Sequence, residues 1–120
     1  MSQHLIAADR LLAEARAEED RLQRYVLAHT AALYAATAVA AAGPPPGGEH
    51  ATVWQLAAAT RPDLADQALG FAQTGAQRSA AEARLPNAAS SAEADDMVRA
   101  AETFLAAVRG APGSPAAPAS

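Results

Sequence analysis

The stretch RLQRYVLAHTAALYAATAVAAA, residues 21–42, carries no charge after Arg24. At about 100° per residue, Leu22, Val26, His29, Leu33, Ala36 and Ala40 fall on one side of a helix, and Leu27, Ala31, Tyr34 and Ala38 form a second apolar patch on its flank. A helix apolar over so much of its circumference has to be covered on most sides. It therefore predicts the centre of the fold, buried by its neighbours alone or partly by a second copy of the chain.

The remaining pattern is helical as well. Ser2 can cap a first helix running to about Ala17, with Leu5, Ala8, Leu12 and Ala15 inward and Asp9, Arg16 and Glu18 outward. The acidic cluster Glu18, Glu19, Asp20 separates it from the central helix, whose positive end favours such residues. Gly43 and the run GPPPGG stop the central helix, because successive prolines cannot continue it. Thr52 with Gln55 makes a capping box for a short helix through about Thr60, anchored by Trp54. Pro62 fits the first turn of a further helix to about Arg84, with Leu64, Ala68, Phe71, Ala72, Gly75 and Ser79 on one face. Gly75 on that face predicts a close approach by another helix. Pro86-Asn87 ends the segment, and Ser90 with Glu93 caps a last helix over 91–109. Its core face is Ala94, Met97, Val98, Ala101, Phe104, Leu105 and Val108, with Gly110 as C-cap. The expected architecture is all-α: an up-and-down bundle of four longer helices and one short one, spanning residues 1–110. The Ala/Pro-rich tail 111–120 has nothing to bury and is expected to be disordered.

Composition sharpens this picture. A chain of 120 residues suits one domain, and its apolar half is mostly alanine with few aromatics, so the core must be built from close helix contacts rather than bulky side chains. There are no cysteines, which excludes disulfides and thiolate metal sites. The N-terminal segment lacks a secretory signal pattern, and residues 25–42, with His29, Thr30 and Thr37 among many alanines, do not make a convincing membrane span. A cytoplasmic location is the expectation. The net charge of −4 gives no overall basic field for phosphate backbones, although local sites remain open. No phosphate loop, glycine fingerprint or serine-nucleophile motif is present, and His4, His29 and His50 lie on separate elements, so no cofactor or metal is expected.

Two polar groups have chemical potential. Arg24 and His29 form an Arg-x4-His pattern, in which a guanidinium could polarise phosphate while the imidazole moves a 2′-hydroxyl proton, as metal-independent RNA cleavage requires. With nine arginines and three histidines such a match also arises by chance. Five residues turn Arg24 about 140° from His29 on a helix, so one subunit cannot easily aim both at one phosphate. The alternative is a neutral core histidine hydrogen-bonded to a hydroxyl or carbonyl, with Tyr25 one turn before it. The second group, Asp95, Asp96, Arg99 and Glu102, is read as a solvated face with an Asp95–Arg99 pair, or as a partner for a cation or for an arginine of the central helix.

Taken in order, RYVLAHTAAL at 24–33, TVWQLAAATRPDLAD at 52–66, FAQTGAQRSAAEA at 71–83 and EADDMVRAAETFLAAV at 93–108 resemble a small family of actinobacterial HEPN-domain proteins. The most specific pieces are Arg24-Tyr25 with Ala28-His29, Trp54 with Leu56, and Ala94-Asp95-Asp96 with Glu102 and Phe104-Leu105. The resemblance implies an α-helical bundle, often dimeric, in a superfamily of ribonucleases, toxins of toxin–antitoxin pairs and inactive RNA- or nucleotide-binding relatives. It implies Arg24 (phosphate contact) and His29 (general base) as catalytic residues, with Tyr25, Asp95 and Glu102 as supporting polar groups. The other reading is a non-enzymatic interaction module that binds a protein partner or itself, with a homodimer contact on Leu27, Ala31, Tyr34 and Ala38.

Overall fold

Ser2 accepts a hydrogen bond from the His4 amide at 3.1 Å and starts α1, Gln3–Ala17. The computed structural model describes residues 2–43 and 51–110. Most of the glycine–proline loop, and the tail expected to be disordered, lie outside the described residues. Asp20 accepts from the Leu22 amide at 3.0 Å and caps α2, Arg21–Ala41. The two capping boxes form as the sequence predicts: Thr52 and Gln55 open α3, Val53–Thr60, and Ser90 and Glu93 open the last helix. Each box satisfies two backbone donors that a bare helix start would leave orphaned.

The segment expected to be one helix over 62–84 is instead three pieces. A 3-10 turn, Pro62–Leu64, leads into α4, Ala65–Gln73, and then into α5, Gly75–Glu82, with α6 at Ser91–Arg109. Thr74 makes the break. Its hydroxyl donates to the Phe71 carbonyl at 2.9 Å and its amide donates to the same oxygen at 3.1 Å, tightening the last turn of α4. Gly75, a poor helix former, follows at once. The break shifts the register of everything after it, so Ser79 is exposed while Ala81 is the buried residue of α5; Ala72, still on α4, is exposed as well. Nor is Gly75 a site of close approach, for a Cβ there would meet nothing within 4 Å. The described residues thus hold three long and three short helices, and no strand.

α2 is the central element, packed against α1, α3, α5 and α6. Its buried stripe is turned from the one expected from its larger residues. Leu22, His29 and Ala36 of the expected face are buried while Val26, Leu33 and Ala40 are only partly so, and Tyr25, Ala28, Ala32, Ala35 and Val39 complete the buried stripe. The physical reason is spacing: helices come closest where side chains are smallest, so alanines take most of the buried positions between Tyr25 and Val39. On α6 the expected face is buried from Ala94 to Leu105, with Val108 at its margin.

Arginines hold the helix ends together. Arg21 donates to the carbonyls of Pro86 at 2.6 Å and Ala89 at 3.0 Å, fixing the loop before α6. Arg61 donates to the carbonyls of Ala107 and Val108, both at 3.3 Å, and so supplies donors to the C-terminal turn of α6. Among the described residues no helix is long and apolar enough to cross a membrane.

Candidate functional site around His29

The break at Thr74 decides the surroundings of His29. His29 is 2% exposed, and its Nε2 lies 3.0 Å from the Phe71 carbonyl oxygen at the end of α4. A carbonyl only accepts, so Nε2 carries the proton and Nδ1 is left as an acceptor. Towards Nδ1 comes Nη1 of Arg78 from α5, at 3.5 Å. The ring meets Trp54 and Phe71 edge-on, with centroids 5.5 and 6.1 Å away. Trp54 stacks on Phe71 at 5.5 Å, and Phe71 meets Phe104 at 5.2 Å. Two of the chain's five aromatic residues therefore flank this histidine, and a third, Phe104, backs Phe71.

Burial holds the His29 imidazole below its ordinary pKa, and the Arg78 guanidinium pushes in the same direction; the Phe71 carbonyl and Glu82 oppose them. Tyr25 is equally buried, and its hydroxyl donates to Gln77 Oε1 at 3.0 Å; burial raises its pKa. Gln77 in turn donates to Glu93 at 3.0 Å.

Arg24 points elsewhere. Its Nη1 donates to the carbonyls of Glu18 at 2.9 Å and Glu19 at 3.3 Å, where α1 gives way to α2. Nη2 donates to Ser91 Oγ at 3.0 Å, and Nε lies 3.1 Å from Asp95 as an ion pair that is not aligned as a hydrogen bond. Arg24 thus faces α1 and α6, whereas His29 faces α3, α4 and α5. The chain does not bring the two into one cleft. Arg24→Ala is expected to cost about 1–2 kcal/mol, because three acceptors lose a partner, and Arg24→Lys should not restore it, since one ammonium cannot span them. Thermal melts of both variants check this, and full recovery by lysine would contradict the fork-like role.

The acidic group on α6 does not form the Asp95–Arg99 pair but does supply a partner to an arginine of the central helix, the alternative that the sequence offered. Arg99 pairs with Asp96 rather than Asp95, and Asp95 pairs with Arg24. Glu102 pairs with Arg16 of α1 at 2.7 Å. The acidic face is therefore stitched to α1 and α2, and the Arg24 partnership is the one the buried junction selects. Sequence reasoning missed Arg78. Its spacing from Glu82 is legible as an i,i+4 pair, seen at 3.1 Å, but its approach to His29 depends on the break at Thr74.

The flank of α2 expected to face a second copy is largely covered. Ala31 is buried and Leu27 and Ala38 are partly buried, leaving Tyr34 exposed beside the His4 ring at 6.3 Å. A separate cleft of about 430 Å³ opens between α4 and α6. Gly70, Phe71, Met97 and Ala100 line it, with Asp66 and Arg99 at its rims.

No curated protein and no solved structure gives a significant match to the chain. A family model of HEPN domains, HEPN_SAV_6107, matches residues 15–109, from the end of α1 through the whole of α6. That span contains the Arg24 junction, the His29 cluster and both capping boxes, and the chain belongs to this HEPN family.

Proposed function

We propose that this HEPN domain is a non-catalytic module that binds protein partners, with Arg24 and His29 holding the bundle together rather than acting on RNA. The observation that carries this reading is the enclosure of His29. A general base must reach its substrate and exchange protons near neutral pH. Here Nε2 is committed to the Phe71 carbonyl, Nδ1 faces a guanidinium, and aromatic rings flank the imidazole.

The use of arginine supports the same reading. Seven of the nine arginines are in ion pairs, and Arg21 is tied to backbone carbonyls. Among the described residues only Arg10 has no such partner. Cations already neutralised within the fold add little to phosphate affinity, and the net charge of −4 works against it.

The test is incubation of the purified protein with a panel of single-stranded RNAs, with and without a chelator. The expected result is no cleavage above background and only weak, salt-sensitive binding. Metal-independent cleavage lost in both His29→Ala and Arg24→Ala, with melting temperatures kept, would overturn the proposal and make the two residues catalytic.

A further inference from the structure

Burial does little to hold α5 in place. The helix lies on α2 and touches α4, and Ala81 is its one buried residue. Alanine brings little apolar area, so the attachment has to come from polar contacts. Gln77 accepts from the Tyr25 hydroxyl of α2 at 3.0 Å and donates to Glu93 of α6 at 3.0 Å, and Arg78 comes up to His29 of α2. Each end of the helix has a hinge. Gly75 follows the break at Thr74, and Arg84 takes a left-handed conformation, φ 63°, that glycine normally supplies. The Arg84 amide donates to the Ala81 carbonyl and the Leu85 amide to that of Ala80, a closing turn strained by carrying a side chain at this position. Beyond it the chain is pinned again, by Asp20 on the Arg84 side chain and by Arg21 at the Pro86 and Ala89 carbonyls.

The three helices that enclose His29 are therefore held very differently. α3 and α4 are joined by the stack of Trp54 on Phe71, and Phe71 rests on Phe104 of α6. α5 meets the ring with a cation. The Phe71 carbonyl holds the Nε2 proton in either form of the imidazole, but Nδ1 faces Arg78 Nη1 at 3.5 Å and accommodates it only as a neutral acceptor. A proton on Nδ1 sets two positive groups against each other where water is excluded, and there the repulsion is strong. The other charged groups around the ring offset it only in part. Glu82 of α5 is already paired with Arg78 at 3.1 Å. α3 has no charged residue, and the only one of α4, Asp66, stands at the rim of the α4–α6 cleft. On α2, Tyr25 is committed to Gln77, and Glu93 of α6 reaches no further than Gln77.

We infer that His29 and Arg78 form an acid-released latch: when the imidazole takes its second proton, α5 swings away from α2 about Gly75 and Arg84, while the other helices stay folded. What it uncovers is the stretch of α2 around Tyr25 and His29, both 2% exposed while the latch is closed. A surface sealed at neutral pH is thus presented in acid. The latch does not rest on the non-catalytic reading, and it leaves that reading intact, because an opened His29 is charged and cannot act as a base.

The experiment is hydrogen exchange of the full chain, read by mass spectrometry at about pH 7.5 and about pH 5 and corrected for the pH dependence of intrinsic exchange. Amides of α5 are expected to lose about tenfold or more of their protection in acid. They should also exchange with little dependence on urea, the sign of a local opening, while α6 stays protected and exchanges only through urea-sensitive global unfolding. His29→Gln keeps an amide donor for the Phe71 carbonyl but never titrates, and Arg78→Met keeps the stem without the charge. In each variant α5 should have nearly the same protection at both pH values, whatever its level at neutral pH. Unchanged α5 protection in acid, α5 exchange with the urea dependence of α6, or a wild-type acid loss persisting in either variant would overturn the inference.

Discussion

Phe104→Ala is expected to destabilise the fold by about 3–5 kcal/mol, a large share of the roughly 5–15 kcal/mol that holds a domain of this size. Phe104 is fully buried, and its ring meets Phe71, which carries the contact on to Trp54 and His29. The cost of such a deletion depends on how far the surroundings can collapse into the space. Around Phe104 they cannot collapse far, because α6 packs on α2 and both helices bury alanines, Ala101 on one and Ala32 and Ala35 on the other. The helices are as near as their backbones allow, so the cavity should persist. Urea titration followed by Trp54 fluorescence measures the loss, and since Trp54 belongs to the same cluster its native emission should also shift. A loss below about 1 kcal/mol would mean that the cluster closes up around the gap.

The second expected result concerns acid. His29 is held below its ordinary pKa in the folded chain, whereas in the unfolded chain it titrates near 6.5. Below that value the unfolded state binds the extra proton first. The stabilisation from a neutral His29 is therefore complete above pH 6.5 and is lost as pH falls from there through the folded pKa. Protonation would place a charge at Nδ1 against the Arg78 guanidinium, with Glu82 and the Phe71 carbonyl offsetting it in part. Asp9, Asp20 and Glu93 are also depressed, by their bonds to Arg109, Arg84 and the Ser90 amide respectively, but their effect belongs to the range below their ordinary values of 3.8 and 4.5. Between pH 7.5 and 5, then, the slope should belong mainly to His29. His29→Ala is expected to lose about 1–3 kcal/mol at neutral pH, through the cavity and the lost partner of Phe71, and to flatten that slope. Melting temperatures of both proteins across this range check it. An undiminished slope in His29→Ala would assign the acid sensitivity to another group.

How much of this was legible in the sequence varied with the length scale of the cause. Caps act over three residues, and Thr52–Gln55 and Ser90–Glu93 placed α3 and α6 to the residue. The central position of α2 followed from its lack of charge. What failed was the stretch after Pro62. There a side-chain hydroxyl competes with the helix for one carbonyl, and apolar periodicity is blind to that competition. From this one miss came the misplaced face at Gly75 and Ser79, and the unseen Arg78 beside His29. The Asp95–Arg99 pair failed for another reason, and the alternative of an arginine from the central helix held instead. On an isolated helix Asp95 and Arg99 are the natural pair, but Arg24, mostly buried at the α1–α2 junction, needs an anion, and Asp95 supplies it. As for His29 and Arg24, helical geometry already turned them apart, whereas which groups surround each one is a tertiary fact.

The alanine interface of α2 also governs how the chain can change over evolutionary time. Ala28, Ala32, Ala35 and Ala36 are essentially sealed, at 0–1% exposed. Alanine has no rotamers to freeze, so these contacts form at little cost in side-chain entropy. They also leave no slack, and a valine or leucine in their place would force helices apart at about 1–3 kcal/mol. Drift is thus channelled. The alanines cannot grow and the aromatic cluster cannot shrink, so inheritable variation is steered outward, onto the exposed side of α4, where Asp66, Leu69 and Gln73 can be rewritten one at a time without disturbing the bundle beneath them.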